Sequence, residues 1–408
     1  MGQSQTTLAE ADSMTADAPR AEFLPFHRPW IDDDEIAEVV DTLRSGWLTL
    51  GPKTLRFEAE FAKYVGASHA IAVNSATAGL HLALDVAGIG PGDEVITTPY
   101  TFTATAATVL HVGARPVLAD IRPDTLNVDP AEVERRITPR TRAIVPVHMA
   151  GLPCDMEPLR ALADRHRLIV IEDAAHALPA RYRGRMIGAL SDLTVFSFYA
   201  GKNITTGEGG MVTTERPDFA ERLRTRRLHG ISRDAWKRYT AEGSWYYEVD
   251  YPGFKYNMTD LNAAIGIHQL EKSDRFHEIR SRYARRYTEG LAGVAELILP
   301  TVPADREHAW HLYLVRVRPE MLTIDRAAVI EQLRAANIGT SVHFIPLHLH
   351  PHYRSAFGYQ PEDFPRAVTA YRGAISLPLY PRMTEGDVDD VVRALRRILR
   401  AHRIGRGA

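Results

Sequence analysis

Between about residues 68 and 215 the chain repeats one rhythm, in which a short run of apolar positions alternates through a turn with a helical stretch. The runs HAIAVNSA, DEVITTP, RPVLADI, RAIVPVH, LIVIEDAA, TVFSFYA and GGMVTT predict strands. Several are apolar on successive positions, as strands covered on both faces must be. TAGLHLALDVAG, FTATAATVLHVG and DMEPLRALADRHR fall between them and predict helices. The last ends in basic residues that suit the negative end of a helix dipole. Such alternation predicts an α/β fold: a large α/β/α domain around a mostly parallel sheet.

After residue 260 the pattern changes. One long helix is predicted from Thr259 to about Leu291, with small and apolar residues in LNAAIGIHQL and charge in RSRYARRY. HLYLVRV alternates like a strand, AAVIEQLRAAN with a following Gly suggests a helix and its C-cap, and DVDDVVRALRRIL a closing amphipathic helix. The expected organisation is a disordered tail over 1–24, a large domain over 25–264 and a smaller α+β domain over 265–408. The tail mixes Ser, Thr, Ala and acids without an apolar core, unlike a signal peptide or anchor. No stretch approaches the roughly 18 apolar residues that span a bilayer, so a cytoplasmic protein with no membrane partner is expected.

Composition narrows the function classes. A chain of 408 residues, 45% hydrophobic and 25% charged, suits a soluble enzyme of more than one domain. Lys plus Arg (49) nearly balance Asp plus Glu (51), which leaves no basic field to collect nucleic acid. The single cysteine, Cys154, excludes an internal disulfide and a multi-cysteine metal site, and suits a small buried hydrophobe.

Four segments carry candidate chemistry, each at the end of a predicted strand. In FSFYAGKNITTGEGG, Lys202 precedes a loop with three glycines and has Ser197 and Asn203 beside it. A buried lysine amine with a lowered pKa condenses with carbonyls to form an imine, whereas an exposed one is only a solvated loop residue. In LIVIEDAAHA, Asp173 ends a very apolar strand, where ligands of open α/β sheets bind. A buried carboxylate needs a partner, either a helix N-terminus or a cation such as a pyridinium nitrogen. Attraction at about 4 Å and an effective dielectric near 20 is worth roughly 4 kcal/mol, enough to hold a pyridine protonated as an electron sink. His176 contacts the same ring or satisfies a buried hydrogen bond. In VNSATAGLHLAL, Ser75, Ala76 and Thr77 lie between strand and helix, a phosphate site or an ordinary N-cap. In TTPYTFTATA, Tyr100 and Phe102 offer an aromatic face to a planar heterocycle, or belong to the core. Phosphate turn, aromatic, acid and lysine recurring at strand ends of one sheet form a coherent cofactor site.

These segments resemble the sugar aminotransferases of the DegT/DnrJ/EryC1/StrS family, pyridoxal phosphate (PLP) enzymes of the aspartate aminotransferase fold, fold type I. The likeness covers about residues 25–400 and is carried by SATAGLHLAL, GDEVITTPYTF, ITPRTRAIVPVH, IEDAAHA, SFYAGKNITTGEGG, FKYNMTDLNAAIG, HAWHLYLVRV, VHFIPLH and SLPLYPRMT. Motif order is also similar to the branch that makes UDP-4-amino-4-deoxy-L-arabinose. The resemblance implies that Lys202 attaches the cofactor covalently and Asp173 binds its pyridine nitrogen. It implies stacking by Phe102, phosphate binding by Ala76, Thr77 and Ser197 with Ser75 in the same turn, and His176 near the ring. It further implies a homodimer in which Asn257 reaches the second subunit's phosphate, Lys255 and Tyr256 meet a nucleotide diphosphate, and His343 approaches substrate. His308 and His311 have no third ligand at metal spacing, so no metal is expected. The implied reaction moves an amino group from L-glutamate to a keto carbon, C4 above all, of a nucleotide-linked sugar. A 3-keto sugar or cyclitol ketone is the alternative acceptor, and a non-catalytic PLP-bound sensor the alternative from another class.

Overall fold

The computed structural model describes residues 19–231 and 246–405. The predicted strands of the large domain all form: β1 (His69–Val73), β2 (Glu94–Thr97), β3 (Arg115–Leu118), β4 (Thr141–Val145), β5 (Ile169–Asp173) and, after a small hairpin of β6 (Arg181–Tyr182) and β7 (Arg185–Met186), β8 (Leu193–Ser197) and β9 (Gly210–Thr214). Seven of them build one sheet in the order β1-β9-β8-β5-β4-β2-β3. Only β9 runs antiparallel to its neighbours.

The successive apolar positions are explained by burial on two sides. Ala70 and Ala72 of β1 join one core with Ile96, Ile144, Val170 and Phe196. Ile71 and Val73 join another with Val95, Val145, Ile171 and Val195. Period-two side-chain alternation thus feeds two apolar layers. Helices Ala76–Val86, Ala104–His111 and Met156–His166 match the three predicted crossovers.

The smaller unit contains β10 (Leu297–Ile298), β12 (Tyr313–Val317) and β13 (Ala374–Leu377) in an antiparallel sheet. Helices Arg326–Ala335 and Glu385–Ala401 pack against it through Val329, Leu333, Val388, Val391 and Leu395. β11 (Arg306–Glu307) reaches back to pair with β6.

Four expectations need correction. The long helix is divided into two, Asp260–Glu271 and Ser273–Leu291, at Lys272 (φ −91°, ψ −4°), whose ammonium is held by Asp32, Asp34 and Glu35. The boundary placed at 264/265 falls inside the first of them. By packing, the change of core comes later, since Phe276 belongs to the large-domain core and Tyr283, Tyr287 and Leu291 to the small-domain core. The left-handed residue that ends helix Arg326–Ala335 is Asn337 (φ 60°), not the glycine two positions on. Finally, the tail assigned to 1–24 is ordered at its end: Arg20 pairs with Asp387 and Asp390, and Leu24 bridges to Ile338. Residues 1–18 lie outside the described residues. Among the described residues no helix is long and apolar enough to cross a membrane.

Candidate active site

The carboxyl ends of β1, β2, β5 and β8 open into one cavity of about 670 Å³. Ser75, Ala76, Thr77, Phe102, Asp173, His176, Ser197, Lys202 and His343 all line it. Nine residues chosen from sequence therefore converge.

At the end of β1 the side chain of Ser75 accepts the N–H of Ala78 at 3.1 Å and caps helix Ala76–Val86. The N-cap alternative is thus real for Ser75, and it leaves the N–H groups of Ala76 and Thr77 without intrahelical acceptors at the positive end of the dipole. This is an anion cradle. Gly210, which faces Val73 and Ser197 in the register, makes room for it. A Cβ there would lie 2.7 Å from the Ala76 nitrogen and 2.9 Å from the Phe196 oxygen.

β2 leads into Phe102, whose ring is 59% exposed and lines the cavity, while Tyr100 is fully buried in the core. The nearest ring to Phe102, Phe344, is 6.2 Å away at 50°. An apolar face is left open to a planar ligand.

At the end of β5 neighbouring acids point to opposite faces. Glu172 turns away and contacts His148 Nε2 at 2.8 Å and the Thr194 hydroxyl at 3.1 Å. Asp173 turns toward the cavity, where Oδ2 accepts the Thr105 hydroxyl at 2.8 Å and Oδ1 the Ala175 N–H at 3.2 Å. Burial raises the Asp173 pKa against the pull of those hydrogen bonds and of Lys202 and His148. Such a carboxyl is stabilised as an anion by any cation brought before it.

Lys202 completes the sheet wall. Its remaining exposure is to the cavity, and burial lowers its amine to about 8 against the opposing charge of Asp173. Next to it, Asn203 donates to the Leu178 and Ala309 carbonyls at 2.7 and 2.9 Å, and its Oδ1 lies 3.1 Å from His311 Nδ1. The amide oxygen can only accept, so Nδ1 of His311 carries the proton. His176 stacks near His311 (4.3 Å) and Phe344 (5.9 Å), is kept neutral by burial, and has its Nδ1 buried without a partner.

The facing wall comes from the small domain and an N-terminal arm: His311, Leu312, His343, Phe344, Leu377 and Leu379, with Phe26, His27 and Pro29. His343 Nδ1 sits 2.9 Å from the Ser376 hydroxyl, and burial holds its pKa at about 4. The arm, Thr105, Tyr199 and Phe344 were not singled out from sequence. Thr105 had a local signal, since Thr101 and Thr105 are four apart and share a 2.8 Å hydrogen bond. The arm had none.

Lys255, Tyr256 and Asn257 do not line this cavity. They run beside β1, with Asn257 bridged to Val73, the Tyr256 carbonyl accepting from Asn74 and the Tyr256 hydroxyl 3.1 Å from His81. His308 lies stacked on Trp310 at 4.0 Å.

An anion cradle, an open aromatic face, a carboxyl that favours a cation and a buried amine of lowered pKa together fit pyridoxal phosphate: phosphate, ring, pyridine nitrogen and aldehyde each find a matching group. With a mostly parallel sheet covered on both faces, they define a PLP-dependent transferase of fold type I. The chain belongs to the DegT/DnrJ/EryC1/StrS aminotransferase family, whose model matches residues 29–396. It is 53% identical to the spore coat polysaccharide biosynthesis protein SpsC of Bacillus subtilis, over 93% of this chain and 98% of that protein. Among solved structures it is similar to the PLP form of the putative sugar aminotransferase Spr1654 of Streptococcus pneumoniae (TM-score 0.87, 35% identity, 93% and 99% of the two chains). It is also similar to S. venezuelae DesV (TM-score 0.84, 40% identity, 91% and 95%). The protein is a PLP-dependent aminotransferase of this family.

Proposed function

We propose that the enzyme moves the amino group of L-glutamate to the C4 keto carbon of a nucleotide-linked sugar, releasing 2-oxoglutarate and a nucleotide 4-amino sugar. The observation that carries the aminotransfer is the convergence of Lys202, Asp173 and the open Ala76–Thr77 turn in one cavity. The sugar reading is supported by SpsC, whose name places it in polysaccharide synthesis, and the C4 position by the motif order.

When bound, PLP would supply an aldehyde carbon that can take up the amino group and an electron sink for the carbanion character that develops. In this reading Ala76, Thr77 and Ser197 hold its phosphate, joined by Asn257 of the partner subunit. Phe102 supplies a flat apolar face and His176 a neutral imidazole. Asp173, aimed by Thr105, holds a proton on the pyridine nitrogen. Lys202 would be the residue that attaches the cofactor, and its Nζ would also be the group that carries a proton. In the protein alone burial lowers that amine to about 8, which suits it to take and return a proton near neutral pH, as shuttling between two carbons requires. Lys255 and Tyr256 reach the nucleotide diphosphate across the dimer, and His343 approaches the sugar.

The test is release of 2-oxoglutarate from L-glutamate by purified holoenzyme with a panel of UDP-, dTDP- and GDP-linked 4-keto sugars, set beside an inosose. Turnover with a nucleotide 4-keto sugar is expected. Turnover confined to the inosose would move the enzyme to cyclitol chemistry.

A further inference from the structure

The N-terminal arm is fixed at both ends of its passage over the cavity. Leu24 bridges to Ile338, and beyond Pro29 the Trp30 and Ile31 carbonyls accept from Gln269 and Arg382. Between these ties Phe26, His27 and Pro29 line the cavity. His27 lies edge-on to Tyr380 at 5.9 Å, and its Nε2 is 3.0 Å from the Ala200 carbonyl oxygen, two residues before Lys202.

That contact fixes the ring chemistry. A carbonyl has no proton to give, so Nε2 must donate. Burial and the neighbouring Arg280 guanidinium lower the His27 pKa to about 4, so the imidazole is neutral at physiological pH and the second nitrogen holds a lone pair. Among the described residues Nδ1 has no hydrogen-bond partner, and the residue lines the cavity. His27 lines both this cavity and a small pocket beside it that includes Lys202 and Arg280, and its Nδ1 is a hydrogen-bond acceptor without charge. Such a group welcomes a hydroxyl and repels a carboxylate or phosphate, which bring only lone pairs.

We infer that His27 is a specificity-determining residue that accepts a hydrogen bond from a sugar hydroxyl next to the keto carbon being aminated. This rests on the sugar acceptor proposed above and adds to it a requirement: the acceptor carries a free hydroxyl beside its ketone. A 4-keto sugar deoxygenated at that neighbouring carbon leaves Nδ1 unpaired and is a poorer substrate.

The experiment compares kcat/KM of the holoenzyme for a nucleotide 4-keto sugar and for its analogue deoxygenated beside the ketone, in wild type, His27→Phe and His27→Asn. Wild type is expected to prefer the hydroxylated acceptor by about tenfold or more. His27→Phe should erase that preference, and His27→Asn, whose amide oxygen can stand near the place of Nδ1, should keep part of it. An undiminished preference in His27→Phe, or equal losses on both acceptors, would overturn the inference. A structure of the holoenzyme with amino-sugar product reads the same contact without a variant, with a sugar hydroxyl expected on His27 Nδ1; water or phosphate alone there overturns it. Absence of turnover by wild type on every nucleotide keto sugar is a different result, which removes the proposed function itself.

Discussion

The two walls of the cavity differ in origin and in chemistry. The sheet wall is assembled from residues at a strand end or up to five positions past it, and it holds the ionisable pair Lys202 and Asp173 beside an anion cradle. The facing wall is drawn from positions 26–29, 311–312, 343–344 and 377–379, and its imidazoles are neutral, with His27 and His343 both lowered by burial to about 4. A wall that must hold one cofactor is built on rigid strand ends. The wall proposed to meet the sugar is built from apolar side chains and three neutral imidazoles on separate segments.

Substitutions should separate the two. Lys202→Ala is expected to have the largest effect, lowering kcat by about 10⁴-fold by removing both attachment and proton carrier. Borohydride reduction followed by mass spectrometry should then find no cofactor at this peptide, and a retained covalent link there would refute the assignment. Asp173→Asn should lower activity by roughly 10³-fold and also shift a pH profile. Asp173 opposes the burial that depresses Lys202, so its loss moves the lysine further below about 8. In cofactor-free protein, the pH midpoint for cyanate modification of Lys202 should therefore fall, and a rise would contradict the electrostatics.

Smaller effects follow at the supports. Gly210→Ala pushes a methyl against the Ala76 nitrogen and should weaken PLP binding by about tenfold, read by cofactor titration. Thr105→Val removes one hydrogen bond from Asp173 and should cost about fivefold to tenfold in kcat. On the facing wall, His343→Gln should act chiefly through KM for the sugar acceptor, by a few-fold. An equally large loss of PLP affinity in that variant would erase the distinction between the walls. The proposed dimer with shared sites has its own test: inactive Lys202→Ala and Asn257→Ala subunits, mixed, should regain activity in hybrid dimers.

The same contrast explains what could be read from the sequence. The strands of the large sheet were legible because both faces are buried, so apolar runs such as LIVIED stand out. The strand-end residues followed, since their position depends on a local turn. His27 was illegible, because its place above Lys202 is set by contacts with Ala200 and Tyr380, far away in the chain. The helix break at Lys272 escaped for a related reason: periodicity runs straight through it, and the acids that hold the lysine lie at positions 32, 34 and 35. Asn337 took the left-handed turn expected of a glycine, which asparagine tolerates.

Helix Ser273–Leu291 is shared property: Phe276 near its start sits in one core, while Tyr283, Tyr287 and Leu291 sit in the other. Melting either core strips that rod of half its support, so the two halves of the molecule should lose structure together, in a single calorimetric transition. Protease nicking within the helix should release no independently folded fragment from either side.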